Sequence, residues 1–151
     1  MCGTATRGDP LAESRAVADP AAAVTDTHAL VFHAAGGGRL GPKASVRFDA
    51  AEAGAGLIYV PAAVIWEVSL LARAVRVNLR RPVRAFFADL FSNPAYQPHD
   101  VTADQVFDAD DLRFTRDPFD ALIVAAARDL DLPLLTRDVS IRESGQVRVI
   151  W

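Results

Sequence analysis

The sequence predicts an α/β fold in which a parallel sheet is covered by helices on both faces. Short apolar runs of strand length alternate with segments of helical length, and glycines and prolines separate them. This alternation is typical of a parallel sheet, because each parallel strand needs a crossover segment to reach the next. With 151 residues, 51% of them hydrophobic, the chain can bury a substantial core in one domain.

Charge, hydropathy and cysteine content exclude several classes of protein. The net charge of −3 does not indicate a nucleic-acid-binding surface over the whole chain, although an acidic cleft with a divalent cation would still admit a polyanion. No apolar run approaches the roughly 18 residues of a membrane span. Cys2 is the only cysteine, which excludes an internal disulfide framework and a cysteine-based zinc site.

The first 20 residues differ in composition from the rest. They are rich in Ala, Gly, Asp and Arg and have no apolar periodicity, so we expect residues 1–20 to be a flexible N-terminal extension and residues 21–151 to form the domain. The N-terminus lacks the basic region and the following apolar core of a secretory signal, so we expect a cytoplasmic protein.

The first half of the domain contains two predicted strands and three predicted helices. Buried apolar runs predict the strands, and apolar residues at helical spacing, such as Val64, Val68 and Leu71, predict the third helix. Glycines end the first two helices, without the spacing of a phosphate-binding loop. In order, the segments are a strand at 21–25, helices at 27–35 and 42–53, a strand at 57–60 and a helix at 62–76.

The second half continues the alternation. Phe86 and Phe87 are predicted core anchors of a helix at 83–91. Pro98 indicates that the next strand lies at a sheet edge, and Thr102 is a helix N-cap. The remaining segments are that strand at 96–101, a helix ending near 109, a helix from 118, a strand at 132–136, a short helix or turn at 139–145 and a strand at 147–151.

The stretch at 116–128 is the most informative part of the chain. Asp117 stands where an N-cap belongs, Pro118 at the first helical position and Asp120 three residues after the cap, before an almost unbroken apolar helix. Two interpretations of Asp120 remain open. It is the acid of a capping box, or it extends from the helix start into a metal site.

Four carboxylates from separate segments are positioned to converge. Asp26 and Asp138 follow predicted strands, and ligand sites of parallel α/β sheets lie beyond the carboxyl ends of the strands. Asp120 begins a helix above that edge, and Glu67 lies early in the helix after the second strand. For Glu67 alone, the alternative is a flanking residue that pairs with an arginine such as Arg73.

Such a cluster is unfavourable without cations, since like charges raise one another's pKa. Carboxylate oxygens suit Mg²⁺ or Mn²⁺. A bound divalent ion lowers the pKa of a water and stabilises charge on a phosphodiester, so metal-assisted phosphodiester hydrolysis is the chemistry that these residues predict.

The ordered set of motifs resembles the PIN-domain family, most closely the VapC-type toxin ribonucleases of type II toxin–antitoxin systems. The resemblance covers about residues 23–151. Each motif is weak alone, but the full set in this order is specific. The matching pieces are Thr-Asp-Thr-His-Ala-Leu at 25–30, the stretch 61–71 with Ile-Trp-Glu, Arg-Asp-Pro-Phe-Asp at 116–120, Leu-Leu-Thr-Arg-Asp at 134–138, and 147–151.

The resemblance implies a PIN-like fold, with a five-stranded parallel sheet flanked by helices on both faces. It implies an acidic pocket that binds Mg²⁺ or Mn²⁺ and cleaves RNA, a VapB-like antitoxin that blocks the pocket, and a homodimer. Asp117 would be an auxiliary acid or the helix cap, and Thr136 would hydrogen-bond near the site. By the same resemblance, the catalytic and metal-coordinating residues would be Asp26, Glu67, Asp120 and Asp138.

Arginines and aromatic residues in the middle of the chain have two interpretations. Arg73, Arg76 and Arg80 recur at helical spacing, and they form either a phosphate-contacting rim or a solvated helix face. Trp66 and the phenylalanines at 86 and 87 are expected in the core or a dimer interface rather than as platforms for base stacking.

The leading hypothesis is therefore a metal-dependent endoribonuclease that acts as a toxin. The alternative is a non-catalytic PIN-scaffold module that binds RNA or protein. Thr115 and Ala121 depart from the His and Arg of close relatives, which leaves the RNA specificity open.

Overall fold

A five-stranded parallel sheet lies at the centre of the computed structural model, which describes residues 21–151. The predicted N-terminal extension at 1–20 lies outside the described residues. The strands are β1 (Ala22–Thr25), β2 (Leu57–Pro61), β3 (Tyr96–His99), β4 (Leu134–Leu135) and β5 (Val149–Ile150).

The strand order is β3-β2-β1-β4-β5, and every neighbouring pair is parallel. From β1 the chain proceeds outward through β2 to β3, then crosses back to β4 and outward to β5. Because crossover connections are right-handed, this reversal places helices on both faces of the sheet, as predicted. It also creates a switch point between β1 and β4, where ligands bind in open α/β sheets.

Seven helices occur in residues 21–151. Their ends agree with the predictions to within three residues. They are α1 (Thr27–Ala34), α2 (Pro42–Glu52), α3 (Ala62–Arg73), α4 (Val83–Ser92), α5 (Ala103–Asp111), α6 (Pro118–Leu130) and α7 (Val139–Ser144).

The core forms around β1 and α6. All four residues of β1 are buried, and α6 buries Ala121 and the run 123–127, as its apolar sequence predicted. Helix α3 packs against both α1 and α6, which brings three segments together above the carboxyl edge of the sheet. Phe86 and Phe87 are buried, as expected of core anchors.

Several details differ from the sequence predictions. Strand β3 ends at His99 rather than at 101, and β5 covers only Val149–Ile150 rather than 147–151. Helix α3 ends at Arg73 rather than at 76, because Val75 adopts a left-handed conformation (φ 57°) and the Arg76 N–H donates back to the Leu71 carbonyl. Strand β4 begins only at Leu134, since the Leu132 N–H still donates to the end of α6. Trp66 is 49% exposed, so of the two locations expected for it the core is wrong, and a dimer interface stays a prediction.

Two further predictions concern the sheet edge and the membrane. Strand β3, which contains Pro98, is an edge strand as predicted. Among residues 21–151, no helix combines the length and the apolar character needed to cross a membrane.

Candidate active site

Asp26 and Asp138 lie on either side of the switch point and have the same local role. Asp26 follows β1 directly, and its Oδ1 accepts a hydrogen bond from the Ala29 N–H at 2.8 Å, which caps α1. Asp138 follows β4 and caps α7, with Oδ1 accepting from the Ile141 N–H at 2.9 Å. The sequence had indicated the strand ends but not these caps. Each carboxylate thus uses one oxygen locally, which fixes its orientation.

The start of α6 excludes one of the two interpretations of Asp120, the capping box. Asp117 is the cap, because its Oδ1 accepts from the Phe119 N–H at 2.8 Å and the Asp120 N–H at 3.4 Å. In a capping box the Asp120 side chain would accept from the Asp117 N–H, but that N–H donates to the Thr115 hydroxyl at 3.0 Å. The Asp120 carboxyl is therefore not engaged in a capping box.

Glu67 contacts a hydroxyl rather than an arginine. Its Oε1 accepts a hydrogen bond from the Thr27 hydroxyl, which lies one residue after Asp26. The guanidinium of Arg73 lies 5.1 Å from the centroid of the Trp66 ring instead, so the alternative of a Glu67–Arg73 ion pair is wrong. Thr27 was not a predicted site residue. Its only sequence signal was its position beside Asp26.

These acids line one cavity of about 350 Å³ at the carboxyl edge of the sheet. Four segments contribute to it, as the topology argument had anticipated. The remaining wall comes mainly from Thr27, His28, Ile123 and Arg137. The acidic residues of this cavity, called the acidic pocket below, are Asp26, Glu67, Asp117, Asp120 and Asp138.

The pKa of Asp120 is raised from 3.8 to about 7. Burial is the largest cause, and the charges of Asp117, Asp138, Glu67 and Asp26 follow in that order. The carboxyl groups are therefore close enough to repel one another, and near neutral pH Asp120 holds a proton part of the time.

The pKa of Asp26 is also raised, chiefly by burial. Hydrogen bonds from the Thr136 hydroxyl and the Ala29 N–H oppose this shift, as does the charge of a protonated His28. Thr136 thus contacts the candidate site through its hydroxyl. His28 is exposed, and its ring lies 6.1 Å from that of Phe32.

The donor set fits a hard divalent cation by type, since it consists of carboxylates around a half-buried polar cavity. The distances between these side chains suit a metal less well. Within residues 21–151, no three His, Cys, Asp or Glu side chains lie close enough to hold a metal ion between them. The chemistry and the charge of the pocket therefore suit a metal, but the carboxylates would have to move to coordinate one.

The predicted arginine stripe does not form a helical face. Arg73, Arg76 and Arg80 are exposed, but α3 ends at Arg73 and Arg80 adopts a left-handed conformation (φ 61°). None of the three lines the acidic pocket. The interpretation as one solvated helix face is therefore wrong for Arg76 and Arg80, and a contact with nucleic acid at these residues stays a prediction.

The sequence model of the PIN domain matches residues 23–145. No curated protein matches the chain. Among solved structures, VapBC2 from Rickettsia felis, bound to a promoter DNA fragment, is similar with a TM-score of 0.62 and 13% identity over 85% of this chain and 96% of that chain. A toxin–antitoxin complex from Klebsiella pneumoniae has a TM-score of 0.55 and 20% identity, and the match covers 83% of this chain and 94% of that one. At identities of 13% and 20%, these similarities show a shared fold and nothing more specific.

Proposed function

Because the chain belongs to the PIN domain family, we propose that it is a metal-dependent endoribonuclease that hydrolyses RNA phosphodiester bonds as the toxin of a VapBC-type pair. One observation carries the proposal: four separated segments bring Asp26, Glu67, Asp120 and Asp138 to a single cavity at the switch point. A fold stabilised only by its core has no need of this repulsive arrangement.

The four acids would hold Mg²⁺ or Mn²⁺ in the acidic pocket. A bound ion would supply an activated water and would stabilise the charge that develops on the phosphodiester. Of the four proposed ligands, Asp120 is the most sensitive to pH near neutrality. Its pKa is about 7, and its carboxyl must lose its proton to bind a cation.

The neighbouring hydroxyls position these ligands. Thr27 donates to Glu67, which restricts the rotation of that carboxylate. The Thr136 hydroxyl accepts from the Asp138 N–H at 3.1 Å and lowers the pKa of Asp26. Asp117 acts as the helix cap and adds negative charge next to Asp120. Its proposed role is therefore auxiliary.

The partners of the proposed toxin are an antitoxin and a second copy of the chain. The similar Rickettsia and Klebsiella structures are toxin–antitoxin complexes, which supports an antitoxin partner for this fold. An apolar cavity of about 610 Å³ between α5 and α6 includes Asp117 in its wall and so adjoins the acidic pocket. A bound protein segment there would restrict access to the carboxylates.

A non-catalytic binding module on the same scaffold is the second candidate. It is favoured by one observation: within the described residues, no three acidic or imidazole groups already surround a common point. In that case the protein would bind RNA or protein without turnover.

Cleavage of a mixed RNA pool by the purified protein separates the two candidates. We expect cleavage with Mg²⁺ or Mn²⁺, none with EDTA, and at least a hundredfold loss of rate in Asp26→Asn and Asp120→Asn. Asparagine at 26 retains an oxygen that can cap α1, so the fold is preserved.

Asp111→Asn is the matched control, because Asp111 is an exposed acid at the end of α5 and does not line the acidic pocket. It should cleave like the wild type. Cleavage that persists in EDTA or in both pocket variants would contradict the proposed site. Absence of cleavage together with absence of metal binding would favour the non-catalytic module.

A further inference from the structure

A second cavity, of about 240 Å³, adjoins the acidic pocket, and three of its seven lining residues are cations. Lys43, Arg137 and Arg142 line it, together with Asp138 and Trp151. Arg137 and Asp138 also line the acidic pocket, so the two cavities share a wall. We call this second cavity the basic pocket.

The three cations of the basic pocket have no ion-pair partner within the described part of the chain. Other basic residues do pair: Arg81 with Asp89 at 3.0 Å and Arg128 with Asp108 at 3.1 Å. No carboxylate of residues 21–151 lies within 4.0 Å of the charged nitrogens of Lys43, Arg137 or Arg142. Asp138 offsets part of this charge, but three cations against one carboxylate leave the cavity with a net positive charge that an anion would neutralise.

Aromatic packing builds the basic pocket from distant parts of the sequence. The Arg137 guanidinium lies 4.9 Å from the centroid of the buried Phe32 ring, and Trp151 packs edge-on against Phe32 at 6.3 Å. Gly41 allows Trp151 to approach, because a Cβ at 41 would lie 2.5 Å from the Trp151 ring and backbone. These contacts limit the movement of the cavity walls.

The beginning of α2 adds to the positive potential. Gly41 is the N-cap and offers no side-chain acceptor, so the helix start that carries Lys43 has no carboxylate or hydroxyl cap of its own. The helix dipole therefore adds to the Lys43 charge.

We propose that the basic pocket binds a phosphodiester of the RNA strand next to the one positioned over the acidic pocket. This inference rests on the function proposed above. Because the two cavities share Arg137 and Asp138, an extended polyanion can occupy both, with one phosphate at the carboxylate side and the next at the cations. The Trp151 ring provides an aromatic surface beside the cations, a combination typical of single-strand binding.

Binding of a fluorescein-labelled ten-nucleotide RNA of mixed sequence tests the pocket. Anisotropy is measured in EDTA and in the Asp120→Asn background, so that cleavage does not interfere. Lys43→Glu and Arg142→Glu should each raise Kd at least tenfold. The slope of log K against log salt should fall by roughly 0.7, the value for one phosphate of a single strand. Lys43→Glu places an acid in the first turn of α2, which the dipole favours, so the fold is retained.

Arg148→Glu is the matched control. Arg148 is also exposed and has no ion pair among residues 21–151. It lies near Arg47, whose guanidinium donates to the Ala22 carbonyl at the start of β1. This is the opposite end of the strand from Asp26. Arg148→Glu causes the same change in net charge, yet should raise Kd less than threefold. Equal weakening by Arg142→Glu and Arg148→Glu would overturn the proposal, since binding would then follow net charge alone.

The failure of this inference differs from the failure of the proposed function. Metal-dependent cleavage with an unchanged Kd in Lys43→Glu and Arg142→Glu overturns the basic pocket and leaves the nuclease. Weaker RNA binding in both variants without any cleavage leaves the pocket and overturns the nuclease. A labelled poly-glutamate peptide that binds through these cations in place of RNA would assign the pocket to an acidic protein partner and overturn the RNA proposal.

Discussion

At the residue scale, the acidic pocket combines structural and functional demands in the same side chains. Asp26, Asp117 and Asp138 each cap a helix with one carboxylate oxygen, so their positions are set by the helices that they begin. Asp120 has no capping role, and burial together with the neighbouring carboxylates raises its pKa to about 7. It is therefore the residue whose substitution is most informative.

The stability of the metal-free protein should fall as the pH rises toward 7. The pKa of Asp120 is about 7 when folded and 3.8 ordinarily, so between these values the folded state binds more protons, and its stability decreases with pH. From pH 5 to pH 8 we expect Asp120→Asn to gain roughly 1–2 kcal/mol over the wild type, allowing for solvent screening. Thermal melts in EDTA at both values measure this gain. A gain that is equal at pH 5 and pH 8 would contradict the raised pKa.

At the element scale, the end of α3 stores strain outside the candidate site. Val75 is β-branched and 88% exposed, yet it has φ 57°, a conformation that favours glycine. The Arg76 N–H bond to Leu71 closes the helix end and requires this conformation. The strain is thus a consequence of ending α3 before the segment that leads to α4.

Val75→Gly should stabilise the protein by about 1 kcal/mol, because it removes the Cβ clash and sacrifices almost no packing. Val46→Gly is the control for the same change at an exposed position inside α2, where it should destabilise by a few tenths of a kcal/mol. Urea unfolding at equilibrium measures both. A destabilised Val75→Gly protein would show that Val75 makes a contact not evident from its exposure.

At the scale of the whole molecule, the decisive feature is that after β3 the chain crosses back over the sheet and adds β4 on the other side of β1. It leaves β1 and β4 as central neighbours whose carboxyl ends open to the same gap, and the residues after both strands line the acidic pocket. A ligand in this gap contacts four segments and therefore stabilises the folded state as a whole.

Mg²⁺ or Mn²⁺ should raise the melting temperature of the protein. At one hundred times Kd, a single site adds about 2.7 kcal/mol to the free energy of unfolding, or roughly 5–10 °C for a domain of this size. Asp120→Asn should lose most of this increase, and Asp111→Asn should retain it. A wild-type melting temperature that is indifferent to millimolar metal would oppose the proposed metal site.

The sequence by itself determined the alternation of strands and helices, the edge position of β3 and the four acids that line the pocket. These follow from local rules: apolar periodicity, Pro98 in a strand, and an acid shortly after a strand or within the first two turns of a helix. The early end of α3 and the exposure of Trp66 did not follow, because a strained left-handed residue and a solvent-facing tryptophan leave no local pattern.

Only the tertiary structure decided which side chains meet. The Thr27–Glu67 hydrogen bond joins residues 40 positions apart, and the basic pocket joins Lys43 to Arg142 and Trp151. The exclusion of a capping box at Asp120 likewise depends on the hydrogen bond that the Asp117 N–H donates to the Thr115 hydroxyl. Such contacts depend on how elements pack across the sheet, and helical or strand periodicity carries no information about partners so far apart in the chain.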